Sequence, residues 1–128
     1  MAVSIRIEPE TGVAIASCSG LLRLSDAQEG AATLWKTPGW LGKSAVWDFR
    51  EARFDLSTSD IREIARFILR SQPATPPLRI AFVTPRDVDF GLARMFEIFR
   101  QDSRTEFSVF RDYDEAVCWA RSLEPGAA

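Results

Sequence analysis

Histidine is absent from this chain of 128 residues. That removes the commonest general base near neutral pH and the commonest metal ligand. Any acid–base chemistry must then rest on carboxylates, arginines or thiols. Cysteine is scarce. Cys18 and Cys118 stand far apart, each inside an apolar segment, which reads as two reduced, buried, small hydrophobic residues. Lysine is nearly missing, with Lys36 and Lys43 the only two among 16 basic residues. The arginines are spread along the chain and form no phosphate-tracking stripe, which argues against nucleic acid as a primary partner. Long hydrophobic runs are missing too, so no membrane span is expected, and the opening stretch Met1–Glu10 lacks an apolar signal core. The expected location is the cytoplasm. No glycine-rich phosphate loop and no calcium-loop spacing of acids occurs, so neither a cofactor nor a metal is expected.

What is present describes an ordinary globular domain: 46% hydrophobic and 27% charged residues with a net charge of −2. The length suits one domain with a real core, placed at residues 1–123, with 124–128 as a frayed tail. Val3–Ile7 alternates apolar and polar and reads as a strand. A turn over Pro9–Gly12 leads to a second strand over Val13–Ser19, close enough to pair as a hairpin. Ser25 and Asp26 can cap a helix running to about Trp35, which Pro38 and Gly42 break. Ser44–Asp48 is a short apolar run ending in an acid, as a buried strand does where it emerges. Ser57–Ile61 opens a second helix with Ile61, Ile64, Ala65 and Ile68 on one face. Ile80–Val83 is apolar at every residue, the pattern of a central strand covered on both faces. Asp87 or Asp89 starts a third helix through Phe99. Phe107–Phe110 is the fifth strand, and Asp112 caps a last helix with Ala116, Val117, Trp119, Ala120 and Leu123 inward. The order ββα–βα–βα–βα is an α/β arrangement: a mixed sheet of about five strands with four helices packed on it. Such sheets place ligands outside the carboxyl ends of their parallel strands.

Several groups of residues could carry chemistry. Asp48, Arg50, Asp87, Asp89 and Arg94, with Arg86, could gather at that edge and bind a polar ligand or anion, or hold carboxylates close enough to raise one pKa. The plainer reading is a salt-bridged rim with Asp87 or Asp89 as a helix cap. Ser57, Thr58 and Ser59 at a helix start are phosphorylation candidates, or simple caps. Gly91 inside a helix start suggests close approach of another backbone or a bulky ring. Phe90, Met95, Ile98 and Phe99 make the third helix apolar over more than one face, as a dimer surface or a pocket wall would be. Trp40, in a loop flanked by proline and glycine, is either a buried anchor or a displayed contact.

Val46–Asp48 with Arg50, the Gly91–Arg94 segment, and Phe110–Asp112 with Glu115, Ala116 and Trp119 resemble the SpoIIAA-like (STAS-like) family. The resemblance runs over about residues 4–123. It implies a single SpoIIAA/STAS-like domain, a fold also shared with CRAL-TRIO lipid-binding domains, and no established enzymatic activity. STAS anti-anti-sigma factors carry a phosphorylatable serine after their third strand. The matching segment here, Asp55–Asp60, departs from their pattern of Asp-Ser followed by small residues and glycine.

Three functions follow as expectations. The first is a non-enzymatic interaction or regulatory module, expected to be a homodimer or to bind an unidentified protein partner. The second is a small-ligand or lipid-binding domain with an apolar pocket walled by Phe90, Met95 and Trp40. The third, ranked last, is a carboxylate-based enzyme using Asp48 and the Asp87/Asp89 edge.

Overall fold

The computed structural model of the protein describes residues 1–100 and 105–122. Its elements run β1 (Ala2–Ile7), β2 (Ala14–Leu22), α1 (Leu24–Lys36), β3 (Ala45–Phe54), α2 (Thr58–Ser71), β4 (Leu78–Val83), α3 (Asp87–Phe99), β5 (Thr105–Phe110) and α4 (Tyr113–Arg121). The five strands form one sheet in chain order. β1 pairs antiparallel with β2, and the remaining pairs are parallel. The expected α/β order is therefore the observed one. Leu123 and the tail 124–128 lie outside the described residues.

Local chemistry explains each boundary. The β1–β2 hairpin closes through Glu8 N–H to the Val13 carbonyl at 2.9 Å and Gly12 N–H to the Glu8 carbonyl at 2.8 Å. Gly12 takes φ +73°, which a residue with a Cβ rarely adopts. Helix α1 begins at Leu24 with Arg23 at the cap, and Asp26 in its first turn accepts the Arg23 N–H through Oδ2 at 2.9 Å. The expected cap at Ser25–Asp26 is thus corrected: the acid closes the helix from its first turn. Ser57 caps α2, with its Oγ accepting Asp60 N–H at 3.1 Å and Asp60 Oδ2 accepting Ser57 N–H at 3.0 Å. Asp112 caps α4 through Glu115 N–H at 2.9 Å. The expectation that Asp87 or Asp89 caps α3 is also corrected. Arg86 stands at that position, and both acids fall inside the first turn, where negative charge still suits the helix dipole.

Alternate strand residues sort the core into two layers. Ala14, Ala16, Ala45, Trp47, Leu78 and Ile80 face α1, joined by the α2–α3 cluster of Ile61, Ile64, Ala65 and Phe96. Val13, Ile15, Val46, Ala81 and Val83 face α4, through Ala116 and Ala120. β4 is buried on both sides, as its unbroken apolar run implies. Phe49, Phe82 and Phe107 stack along the first face at 6.2 and 6.0 Å between centroids, with Phe96 set edge-on to the last two.

Two expectations fail on packing. Cys118 is exposed on α4, while Cys18 is buried; both are free. α4 turns Ala116 and Ala120, and in part Val117 and Trp119, toward the sheet, and position 118 falls on its outer side. Gly91 meets no ring or backbone, because a Cβ there would find no atom within 4 Å.

Candidate functional site

Near the carboxyl edge of the sheet, β3 departs from regular pairing. Ser17 stands opposite Asp48, but Ser19 stands opposite Glu51, so β3 holds one extra residue. Asp48 stitches this bulge. Its Oδ1 accepts Arg50 N–H at 3.1 Å and Arg50 Nε at 2.9 Å, while Oδ2 accepts Nη2 at 2.8 Å. The guanidinium lies over the Tyr113 ring, 4.4 Å from its centroid, and Arg6 Nη2 lies 3.5 Å from the Tyr113 hydroxyl. Burial pushes the Asp48 carboxyl up. The hydrogen bonds and charge of Arg50, with the charge of Arg6, outweigh that and hold it below its ordinary 3.8. Asp48 is therefore a fixed anion, the opposite of a general acid poised near neutrality.

The other candidate charges have their own partners. Asp87 accepts from Arg111 Nη1 at 2.8 Å, and the same nitrogen reaches the Pro85 carbonyl at 2.9 Å. Asp89, only 2% exposed, lies 3.6 Å from Arg86 Nε. Arg94 pairs with Glu97 along α3. The expected single cluster thus resolves into an Asp48–Arg50 unit on β3, a rim at the start of α3, and an outward pair. Arg6 and Tyr113 were missed. They come from β1 and α4, and only the folded topology brings them to β3.

An apolar cavity of about 90 Å³ lies between the sheet and helices α1, α2 and α3. It exists because α1 turns small residues inward. Ala27, Gly30 and Ala31 face Trp47 and Phe49 of β3 across the gap. Of the three expected walls, Trp40 lines the cavity, but Phe90 and Met95 do not. Ala93 and Phe96 are the α3 residues that face it. Phe90 sits on the other flank of α3 beneath Arg111, 4.3 Å from the guanidinium, and Met95 packs on the α2–α3 cluster. Trp40 is the buried anchor, 1% exposed, and not a displayed contact.

No family model matches the chain, and no curated protein matches its sequence. A solved structure does. It is an uncharacterised protein of the DUF3478 family with a SpoIIAA-like fold from Shewanella loihica, with a TM-score of 0.60 and 18% identity, covering 93% of this chain and 92% of that one. The chain has a SpoIIAA-like fold.

Within the SpoIIAA-like fold, Ser57 stands at the start of the helix after β3, with exposed Thr58 and Ser59 behind it. Large apolar side chains remain exposed on α3, on α2, and at Leu21 and Leu41. Val88 is 71% exposed, Ile98 59% and Phe99 37%, with Arg62 of α2 over the Phe99 ring at 5.3 Å. Leu69 on α2 is also exposed. Val88 and Leu69 escaped the sequence reading. Val88 and Phe99 fall on one face of α3 by helical spacing, whereas Leu92 and Met95 between them pack on the α2–α3 cluster. Among the described residues no helix is long and apolar enough to cross a membrane.

Proposed function

We propose that this chain is a non-enzymatic, STAS-like interaction module that acts as a cytoplasmic homodimer through the outer stripe of α3. The observation that carries the proposal is the exposure of Val88, Ile98 and Phe99 on one helix. Exposed apolar groups gathered on a single element suit a contact that removes them from water.

The stripe is also self-complementary. Two antiparallel copies of α3 would set the exposed Val88 of one against Phe99 of the other, as a twofold contact requires, while Leu92 and Met95 stay packed on the α2–α3 cluster. Gly91 supports the same partner. A helix-interior glycine costs about 1 kcal/mol relative to alanine, and among the described residues outside its own helix no atom lies within 4 Å of where its Cβ would be. A second copy packed over the helix supplies a reason. The free thiols suit a reducing compartment. The charge pairs favour the non-enzymatic reading, since Asp48, Asp87 and Asp89 each face an arginine.

Native mass spectrometry of the gently purified chain tests the proposal. Twice the chain mass is the expected result, with single-chain mass for Ile98→Glu. A single-chain mass for the unaltered protein at micromolar concentration overturns it.

A further inference from the structure

Helix α1 keeps a glycine where an alanine would fit. Gly30 lies in the helix interior, where glycine is destabilising relative to alanine. A Cβ there would come 3.5 Å from the Trp47 ring and 3.7 Å from Met1 Cε, both ordinary contacts. No close approach among the described residues therefore calls for the missing methyl group. What the glycine preserves is volume. With Ala27 and Ala31 it lines the cavity of about 90 Å³ between the sheet and helices α1, α2 and α3.

We propose that this cavity is a binding site for a small hydrocarbon-like molecule with no charge and no hydrogen-bonding group. The chemistry of the wall sets the class. Its one charged side chain is Asp26, whose carboxylate faces the Met1 ammonium at 3.8 Å and accepts the Arg23 N–H at 2.9 Å. The two charges offset one another, so neither an anion nor a cation finds a free counter-charge. Gln72 donates from Nε2 to Thr105 Oγ1 at 3.4 Å. Asp26 and Gln72 are both half-buried, where they also meet solvent. The Trp40 indole nitrogen is closed to a water-sized molecule and offers an occupant no donor. The other lining residues are apolar. Water needs two to four polar partners, which such a lining does not supply. A hydrocarbon leaves water for carbon contacts and buries no polar group of its own.

The volume sets the size. About 90 Å³ is roughly three-fifths of the ~150 Å³ cavity that takes up benzene or xenon. In proportion it holds about four heavy atoms, a molecule the size of propane or butane, and not a lipid acyl chain. Half-buried Asp26, Trp35 and Gln72 carry the cavity toward the surface along α1 and α2. The site lies on the inner side of α3, where Ala93 and Phe96 face it, and stands whether or not the chain dimerises.

The test is methyl NMR of the labelled full chain with xenon and propane, and with acetate and ethylammonium as charged molecules of similar size. Xenon and propane are expected to move the methyl signals of Leu34, Ile61 and Ile64 saturably, and the two ions to leave them in place. Gly30→Ala fills part of the volume with a better helix former. It should melt higher than the unaltered chain and bind both apolar probes about fivefold more weakly. Ile64→Val trims the opposite wall and should bind propane at least as tightly, so that a loss in Gly30→Ala reads as filling and not as damage to the wall. Absence of a saturable response to both apolar probes overturns the site. Equal responses to propane and to either ion overturn the ligand class. Unchanged uptake in Gly30→Ala, or an equal loss in Ile64→Val, overturns the role of the open volume beside Gly30.

Discussion

Asp48 holds Arg50, two residues further along the same strand, with both carboxylate oxygens. The pair closes a bulge and fixes a guanidinium over Tyr113. Asp48→Asn should lower stability by about 1 kcal/mol near neutrality, a charged hydrogen-bond value discounted because Arg50 is half exposed. The sign with pH follows from the depressed carboxyl of the folded state. Its contribution is complete above the unfolded value near 4 and fades as pH falls through the lower folded value. Urea titrations should show the two proteins diverging near neutral pH and converging in acid. A constant difference at every pH would contradict this role.

The two thiols should differ sharply. Burial first, and then the Asp48 carboxylate, push the Cys18 thiol up to about 12, whereas Cys118 is exposed. A thiol-reactive dye should label Cys118 in the native protein and Cys18 only after unfolding. Between about 9 and 12 the folded chain keeps the Cys18 proton that the unfolded chain releases, so stability falls as pH rises through that window. Cys18→Ala should remove that part of the alkaline loss. Rapid native labelling of both thiols would contradict the burial of Cys18.

Ser57→Ala should cost about 1 kcal/mol, because it leaves the Asp60 N–H of the capping box without its acceptor. Chemical denaturation measures this directly. Ser57→Asp, which can still accept from the same N–H, should recover most of the loss. Equal losses in both variants would show that the cap is not what stabilises α2.

Gly91→Ala should separate the chain's own stability from its association. A Cβ at this exposed helical position meets nothing within 4 Å, so the isolated chain should gain about 0.5–1 kcal/mol. The same methyl group should weaken the dimer if a second copy packs over it. Thermal melts at low concentration measure the first effect, and concentration-dependent light scattering the second. A gain in stability with unchanged association would remove Gly91 from the contact.

Much of the fold was legible because local chemistry and burial agree. Ile80–Val83 is apolar at each position and is indeed covered on both faces, and Ser57 and Asp112 cap the helices they precede. The Asp48–Arg50 unit was half legible: the residues were visible, but not the bulge that faces them together. Its companions Arg6 and Tyr113 are 107 positions apart, a distance that no periodicity spans. Phe90 read as interface or pocket because its cover, Arg111, arrives from beyond β5. The cavity was misplaced for a related reason. It arises from what Ala27, Gly30 and Ala31 fail to fill, and an unfilled volume depends on the opposite wall as much as on the helix.

Sedimentation equilibrium on the unaltered chain and Val88→Glu tests the central claim most directly. Val88 lies in the first turn of α3 and is largely exposed, and a carboxylate there suits the helix dipole, so the variant should fold. In a twofold contact that charge faces Phe99 of the second copy. The expected result is a monomer–dimer equilibrium for the unaltered chain, shifted toward monomer by at least about tenfold in Val88→Glu. A monomer at all concentrations, or a dimer that Val88→Glu leaves intact, would contradict association through the α3 stripe.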